Sequence, residues 1–199
     1  MSPSEIQRFE KEILKAQVVP PDLRALLEVA GSAGDIDPLR EALGFALLVP
    51  GRDYPLLTGS YLRDRDRQNP DIMANVAAIN DVLALITIVA ESEDGDMIGY
   101  WHGPERTPIG EAPIVKLDTE GMFSLMQGRM LSEAMLGNYT FDDAERFADG
   151  RAWLAGCGIE INAKNWRELS TPEAFTAPDE LHKMLYKQKR LAAGSKAGD

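Results

Sequence analysis

Cysteine and histidine are scarce in this chain of 199 residues, which contains one Cys and two His. A lone cysteine, Cys157, cannot form an internal disulfide, which agrees with a reducing compartment. His102 and His182 lie far apart in the sequence, so a histidine-based metal site or catalytic triad has few residues to draw on. Phosphate-binding glycine motifs and the Gly-x-Ser-x-Gly nucleophile elbow are also absent. Most familiar enzyme mechanisms therefore lose support, and neither a cofactor nor a metal is expected.

Long hydrophobic runs are missing as well. No uninterrupted apolar stretch approaches the roughly 20 residues that a membrane-spanning helix needs. The N-terminal segment carries Glu5, Arg8, Glu10 and Lys11 among its apolar residues, a pattern that secretory signal peptides do not have. We therefore expect a cytoplasmic protein without a membrane partner.

No Ser/Gly or Pro/Gln run divides the chain, so we expect one domain over residues 1–199, with 44% hydrophobic residues to fill its core.

Basic residues are in the minority, with 21 Lys and Arg against 32 Asp and Glu and a net charge of −11. The imbalance lies in residues 51–150, which hold 18 acidic and 8 basic side chains. Such a field repels nucleic acid, because phosphate binding requires a basic surface. It attracts a basic protein and speeds the association. The alternative interpretation is that the acidity serves only solubility.

Four β-prone segments between Leu83 and Leu125 are the strongest structural signal in the chain. The first two flank the turn Glu91–Asp96, and the last two flank the turn Asp118–Gly121. A glycine in each turn supplies the positive φ that a tight reversal needs. The pattern predicts two successive antiparallel hairpins at the centre of one sheet.

Apolar residues at helical spacing predict helices on both sides of these hairpins. Phe45–Val49 is interpreted as an edge strand, and the charged segment Arg52–Gln68 as an exposed loop. A basic C-terminal stretch, residues 183–196, is expected to fray. The predicted helices are Ser4–Gln17, a helix from Pro21 that Gly31 and Gly34 end, Pro38–Leu43, a helix that Asn69 caps, Arg129–Leu136, a helix between a Thr140/Asp143 capping box and Gly156, and a last helix from about Pro178. In the last helix Leu181, Leu185 and Leu191 are predicted to point inward.

The acidic turn of the first hairpin contains Glu91, Glu93, Asp94 and Asp96. Clustered carboxylates suit Ca²⁺ or Mg²⁺, but their spacing does not fit the twelve-residue calcium loop. The frequency of Asp and Gly in turns favours an ordinary solvated hairpin turn. As a patch for contact with another protein, the turn remains a candidate site.

Aromatic and charged residues follow the second β-prone segment, in the order Trp101, His102, Glu105 and Arg106. A neutral His beside a carboxylate has the chemistry of a general base, but no nucleophile or cofactor motif accompanies it. Tyr100 and Trp101 alternate across the sheet, so one ring is expected to face the core and the other the opposite side. Packing in the core is one interpretation of either ring, and an anchor at a protein interface is the other.

Two stretches carry a family pattern. The first is VVPPDLRALLEVAGSAG at residues 18–34, where a proline introduces a helix that closes on a Gly-rich turn. The second is GDMIGYWHG at residues 95–103, which leads through APIVKLDTEG at residues 112–121 to Met122–Leu125. Together these stretches resemble the SMI1/KNR4 (SUKH) superfamily. The resemblance covers residues 17–136 and leaves residues 140–195 as a helical C-terminal extension. It implies an α+β fold with a central mixed, mostly antiparallel sheet and helices packed around it.

The resemblance also implies a function. Bacterial members are immunity proteins that bind and neutralise a toxin, often a nuclease, and fungal relatives regulate cell-wall assembly. We therefore predict a non-catalytic module that binds a basic toxin domain and no nucleic acid. The rival hypotheses are a small carboxylate-based or metal-dependent hydrolase, or a transferase, and a regulatory scaffold protein. The predicted partner contacts are Glu91, Glu93, Asp94, Asp96, Trp101, His102, Glu105 and Arg106.

Overall fold

The computed structural model describes residues 2–15, 17–32 and 37–195. Helices and strands are interspersed along these residues, with the strands grouped in the middle. The helices are α1 (Pro3–Glu12), α2 (Pro21–Ser32), α3 (Pro38–Leu43), α4 (Pro55–Thr58), α5 (Asp64–Arg67), α6 (Pro70–Leu83), α7 (Leu131–Tyr139), α8 (Ala144–Gly156) and α9 (Pro178–Ser195), with a 3₁₀ turn at Trp166–Glu168. The strands are β1 (Phe45–Leu47), β2 (Ile86–Ser92), β3 (Met97–Trp101), β4 (Ile114–Leu117) and β5 (Phe123–Leu125).

The five strands form one sheet in the order β1-β2-β3-β4-β5. Both predicted hairpins are present, β2–β3 and β4–β5, and β1 lies at the edge as predicted. The central position predicted for the second hairpin is wrong, because β5 forms the other edge of the sheet. All pairings of the described strands are antiparallel, so the sheet has no parallel pair within the described residues. The predicted α+β class is confirmed, whereas the mixed pairing that the resemblance implied is wrong for the described strands.

Helices cover both faces of the sheet. On one face α6 and α9 pack against each other, with α6 on β2 and α9 on β5. The second group is formed by α2, α3, α7 and α8, which contact one another, and α3 also contacts β1. Within this group, Asp22 at the start of α2 is bonded to the start of α7, because its carboxylate accepts hydrogen bonds from Ser132 N (3.0 Å) and Ser132 Oγ (3.2 Å). All five residues of β3 are buried, since this strand is covered on both sides.

Tyr100 and Trp101 lie on opposite faces of the sheet, as the alternation predicts. Both faces are covered, so both rings are buried in the core. Trp101 is 2% exposed, and its indole Nε1 donates to Thr176 O just before α9 (2.9 Å). Tyr100 is also 2% exposed, and it lies within electrostatic range of Asp22 on the other face. Burial raises the pKa of Tyr100 well above its usual value.

Several helix boundaries follow local chemistry. Asn69 caps α6 as predicted, because its side chain accepts hydrogen bonds from the N–H groups of Asp71 and Ile72. The predicted capping box of α8 is wrong in one member. Asp143 caps the helix through Arg146 N (2.9 Å), whereas the Thr140 hydroxyl donates to Leu136 O of the preceding helix (2.7 Å).

The exposed loop predicted at Arg52–Gln68 is wrong, because this segment contains α4 and α5. Pro55 opens α4 with a φ that suits a first helical turn. At α5 the Asp66 carboxylate accepts the Arg63 N–H (3.0 Å), which caps a turn made of charged residues. Alternating charges in the sequence concealed α5, whereas α4 is a single turn of four residues, too short to show an apolar period.

Three other helix predictions need correction. Helix α7 continues past its predicted end and includes Gly137. Helix α2 continues through Gly31, and the second predicted terminator, Gly34, lies outside the described residues. Helix α1 ends at Glu12 rather than at Gln17.

The basic C-terminal stretch is helical through Ser195 and is attached to α6 by ion pairs. Lys189 Nζ lies 2.6 Å from an Asp81 carboxylate oxygen, and Arg190 Nε lies 2.9 Å from Asp71. The predicted fraying is therefore wrong as far as Ser195, because acidic side chains of α6 pair with this helix. Leu191, predicted to point inward, is 68% exposed. Among the described helices, none is both long and apolar enough to cross a membrane.

Candidate functional site

The order of the strands brings both hairpin turns to one end of the sheet. Met97, the first residue of β3, pairs with Leu117, the last residue of β4, so the β2–β3 turn and the β4–β5 turn are neighbours. A Cβ atom placed on Gly95 of the first turn would lie 3.6 Å from the Thr119 methyl of the second. We call this region, residues 91–96 and 118–122, the hairpin-turn end.

The β2–β3 turn is held in a fixed conformation by its own backbone. Ser92 N donates to Asp96 O (2.9 Å), Gly95 N donates to Ser92 O (3.1 Å), and Asp96 N donates to Ser92 Oγ (3.0 Å). Gly95 adopts φ +87°, which a residue with a Cβ rarely does. Glu93 N donates to Gly44 O (3.0 Å), so the turn is also attached to the end of α3. The exposed side chains of Glu93 and Asp94 are consequently presented on a rigid support.

The carboxylates of the hairpin-turn end divide into paired and unpaired groups. Asp96 is 8% exposed and lies 3.4 Å from Lys116 Nζ, and Glu91 lies 3.8 Å from an Arg52 guanidinium nitrogen. In the described part of the chain, the exposed side chains of Glu93, Asp94 and Glu120 form no ion pair. These three unpaired carboxylates give the end a negative field that a basic surface complements.

An exposed methionine lies among these carboxylates. Met122 is 60% exposed, and its N–H donates to the Asp118 carboxylate (2.8 Å) in the β4–β5 turn. The same Asp118 oxygen accepts the Glu120 N–H (3.0 Å), which fixes the turn. Met is adaptable and polarizable, so this side chain offers an apolar contact beside the charges.

A cleft adjoins the hairpin-turn end. The ring of Tyr139 packs directly on Gly44, the residue whose carbonyl accepts the Glu93 N–H. Gly44 has φ +70°, and a Cβ there would collide with the Tyr139 ring. The cleft has a volume of about 410 Å³ and is lined by Glu41, Ala42, Tyr139, Arg146, Asp149, Gly150 and Trp153. We call it the Tyr139–Trp153 cleft.

The remaining predicted contact residues lie at the opposite end of the sheet. β3 separates the two groups by about 13 Å, at ~3.3 Å per residue. Trp101 is buried, so it offers little area to a partner. Glu105 and Arg106 are exposed, and the Glu105 carboxylate accepts a hydrogen bond from the Thr176 hydroxyl. The structure thus splits the predicted contact set into two groups, with Glu91, Glu93, Asp94 and Asp96 at the hairpin-turn end and Trp101, His102, Glu105 and Arg106 at the opposite end.

His102 is held in one tautomer at this opposite end. Its Nδ1 lies 2.7 Å from Thr107 O, which only accepts, so Nδ1 carries the proton of the neutral ring. Its Nε2 lies 2.8 Å from Thr87 Oγ1 and therefore accepts from that hydroxyl. Gln17 Nε2 in turn donates to Thr87 Oγ1 (3.0 Å). The three side chains link β2 to the β3–β4 connection, beside a cavity of about 480 Å³ that Gln17 and His102 help to line.

The Cys157 thiol lacks a reactive environment. Burial raises the pKa of the Cys157 thiol, which disfavours the nucleophilic thiolate. No group of three or more His, Cys, Asp or Glu side chains that could hold a metal ion occurs among residues 2–15, 17–32 and 37–195.

Comparisons with known proteins gave no match to a family model, to a curated protein or to a solved structure.

Sequence reasoning missed Glu120, Met122, Tyr139 and Trp153 as site residues. The antiparallel hairpin prediction contained one usable signal, because alternate turns of a meander lie at the same end of the sheet. That rule places the Asp118–Gly121 turn beside Glu91–Asp96. No comparable signal pointed to the two rings, since their proximity depends on how α7 and α8 pack on α3.

Proposed function

We propose that this chain is a cytoplasmic, non-catalytic protein-binding module of SUKH type, an immunity protein that neutralises a bacterial toxin by direct contact. The observation that supports it is the hairpin-turn end, where Glu93, Asp94 and Glu120 are exposed and unpaired on rigid turns beside the exposed Met122. The expected partner is a basic toxin domain, docked on this end of the sheet.

Charge and packing have separate roles in this docking. Unpaired carboxylates at a fixed position steer a basic partner and raise the association rate, in a way that salt screens. An apolar side chain inside the charged area contributes to slow dissociation, because water is excluded around it. Glu91 and Asp96 are already paired with Arg52 and Lys116, so they position the turn and the partner meets mainly Glu93 and Asp94.

Growth rescue tests the proposal. The product of the adjacent gene is expressed with this protein or with a Glu93→Lys/Asp94→Lys variant, and growth is measured. We expect the native chain to protect and the double variant to lose protection, while a Glu111→Lys variant at the opposite end protects normally. Glu111 is the matched control because it is exposed and its carboxylate forms no ion pair among the described residues.

Purified components sharpen this test. The association rate of the complex should fall steeply between low and physiological salt, and the double variant should be slow at both. Inhibition in proportion to the amount of complex indicates neutralisation by binding, as proposed. If the native chain does not restore growth, the proposed immunity function is overturned. If only the Glu111→Lys variant loses protection, the toxin contacts the opposite end of the sheet instead.

A small hydrolase is a second candidate, favoured by the hydrogen bond from the Thr87 hydroxyl to His102 Nε2. A hydroxyl that donates to a histidine is the first requirement of an activated nucleophile. Thr87 is only 8% exposed, so attack on a substrate would require the adjacent cavity to open. Turnover of activated esters that disappears in Thr87→Val and His102→Gln variants would favour this candidate over the binding module.

A further inference from the structure

The Tyr139–Trp153 cleft already holds a cation from its own chain. The guanidinium carbon of Arg146 lies over the Tyr139 ring, 4.9 Å from the ring centroid. This distance is within the range of a cation–π contact. Arg146 is exposed and forms no ion pair with any described residue. The aromatic ring is therefore what positions the guanidinium.

The walls of the cleft combine two aromatic rings with two carboxylates. Tyr139 and Trp153 are partly buried, whereas Glu41 and Asp149 are exposed. Neither carboxylate forms an ion pair in the described part of the chain. Ring faces attract a cation through their quadrupole, and nearby carboxylates add charge attraction and hydrogen-bond acceptors. The lining thus has the composition of a cation-binding pocket.

Close packing of α8 against its neighbours forms the floor of the cleft. A Cβ on Gly150 would collide with a Leu136 methyl of α7 and would lie 3.7 Å from Ala42 O of α3. Arg146, Asp149 and Trp153 recur at spacings of three and four on the same side of α8. The floor and one wall of the cleft are therefore set by rigid helices, and the exposed Arg146 is free to swing away.

We propose that this cleft binds the guanidinium group of an arginine side chain from a protein partner, and that Arg146 occupies the site in the free protein. Arginine is the expected ligand, rather than lysine, because Arg146 shows that a planar guanidinium fits over Tyr139. The cleft joins the hairpin-turn end through Gly44, so a basic surface docked there can reach both regions. The binding of a guanidinium group is inferred from the residues of the cleft alone, whereas the identity of the partner that supplies the arginine rests on the proposed function.

Tryptophan indole signals in ¹⁵N NMR spectra report on the cleft directly. The probes are N-acetyl-arginine amide and its neutral counterpart N-acetyl-citrulline amide, titrated into native protein and an Arg146→Ala variant. A Trp153→Phe variant assigns the Trp153 signal among the three tryptophans of the chain. We expect a saturable shift of the Trp153 signal with the arginine probe, about fivefold weaker binding in native protein because Arg146 competes, and no saturable shift with citrulline.

Matched variants locate the binding. Glu41→Gln and Asp149→Asn should each weaken binding of the arginine probe severalfold, and Glu145→Gln, elsewhere on α8, should leave it unchanged. No saturable shift in Arg146→Ala, or an equal response to citrulline, overturns the proposal. If Arg146→Ala fails to fold, Arg146→Gln replaces it.

The binding and growth experiments separate the two proposals. If the cleft binds the arginine probe but the chain does not rescue growth, the cleft proposal is supported and only the toxin as the source of the arginine is overturned. If the chain rescues growth but the cleft does not bind the probe, the cleft proposal is overturned and the proposed immunity function is not.

Discussion

The two ends of the central sheet differ in how their polar side chains are used. At the hairpin-turn end, Glu93 and Asp94 are exposed and have no ionic partner among the described residues. At the opposite end, Trp101 and His102 form hydrogen bonds with Thr176, Thr87 and Thr107. Among the predicted contact residues, Glu93 and Asp94 therefore stay unpaired at one end, whereas Trp101 and His102 support the fold at the other. Substitution of Trp101 or of the Thr87 partner of His102 should reduce stability, and substitution of Glu93 or Asp94 should change the proposed binding.

Removal of the Trp101 side chain should have the largest effect on stability. Trp101→Ala leaves a cavity in the core between the sheet and the segment before α9, and it deprives Thr176 O of its donor. We expect a loss of about 3–5 kcal/mol in the free energy of unfolding. Urea denaturation measures it, with Met122→Ala as the control at the exposed end. A loss below about 1 kcal/mol would show that Trp101 is not a core residue.

The Thr87 hydroxyl should contribute the next largest effect. Thr87→Val keeps the shape of the side chain but leaves His102 Nε2 and the Gln17 amide without their partner. Unsatisfied, partly buried groups cost about 1–3 kcal/mol, and we expect a destabilisation in this range. Thr119→Val, an exposed site in the β4–β5 turn, should have almost no effect in the same denaturation series. Equal effects at both positions would contradict the distinction between the two ends.

His182 provides a smaller, pH-dependent test of the core behind the hairpin-turn end. It packs edge-on against Phe123, with ring centroids 5.6 Å apart, and it hydrogen bonds to Asn75. Burial, and then the charge of Lys183, lower its pKa below the usual value of 6.5. The unfolded chain therefore binds the proton more readily, so stability is full above pH 6.5 and falls as the pH drops through the lowered pKa. Melting temperatures from pH 7.5 downward should show this decline, reduced in a His182→Gln variant; an unchanged slope would contradict it.

Charge reversal at the hairpin-turn end should affect stability least. Each of Glu93→Lys and Asp94→Lys changes the net charge by two, so the double variant carries −7 instead of −11. We expect the free energy of unfolding to change by no more than about 0.5 kcal/mol, since neither carboxylate has an ionic partner to lose. Thermal melting of the double variant checks this before any binding experiment. A loss above about 1 kcal/mol would mean that these side chains support the fold.

Local features were predictable from the sequence because they depend on neighbouring residues. The hairpin glycines at Gly95 and Gly121, the Asn69 cap and the start of α9 at Pro178 were all confirmed. The helices within Arg52–Gln68 were missed because each is only four residues long, which is too short to show an apolar periodicity. The inward position predicted for Leu191 was wrong, since its side chain is 68% exposed although the neighbouring Lys189 and Arg190 pair with α6.

The sequence by itself determined the two hairpins, their acidic turns and most helix starts, because turn chemistry and capping act over a few residues. Only the tertiary structure decided which side chains form the site. Strand order brought the turn that carries Glu120 beside the turn that carries Asp94, and covering helices buried Trp101. The packing of α3, α7 and α8 joined Glu41, Tyr139 and Trp153 in one cleft. Contacts between residues so distant along the chain depend on how whole elements pack, and no short pattern records that.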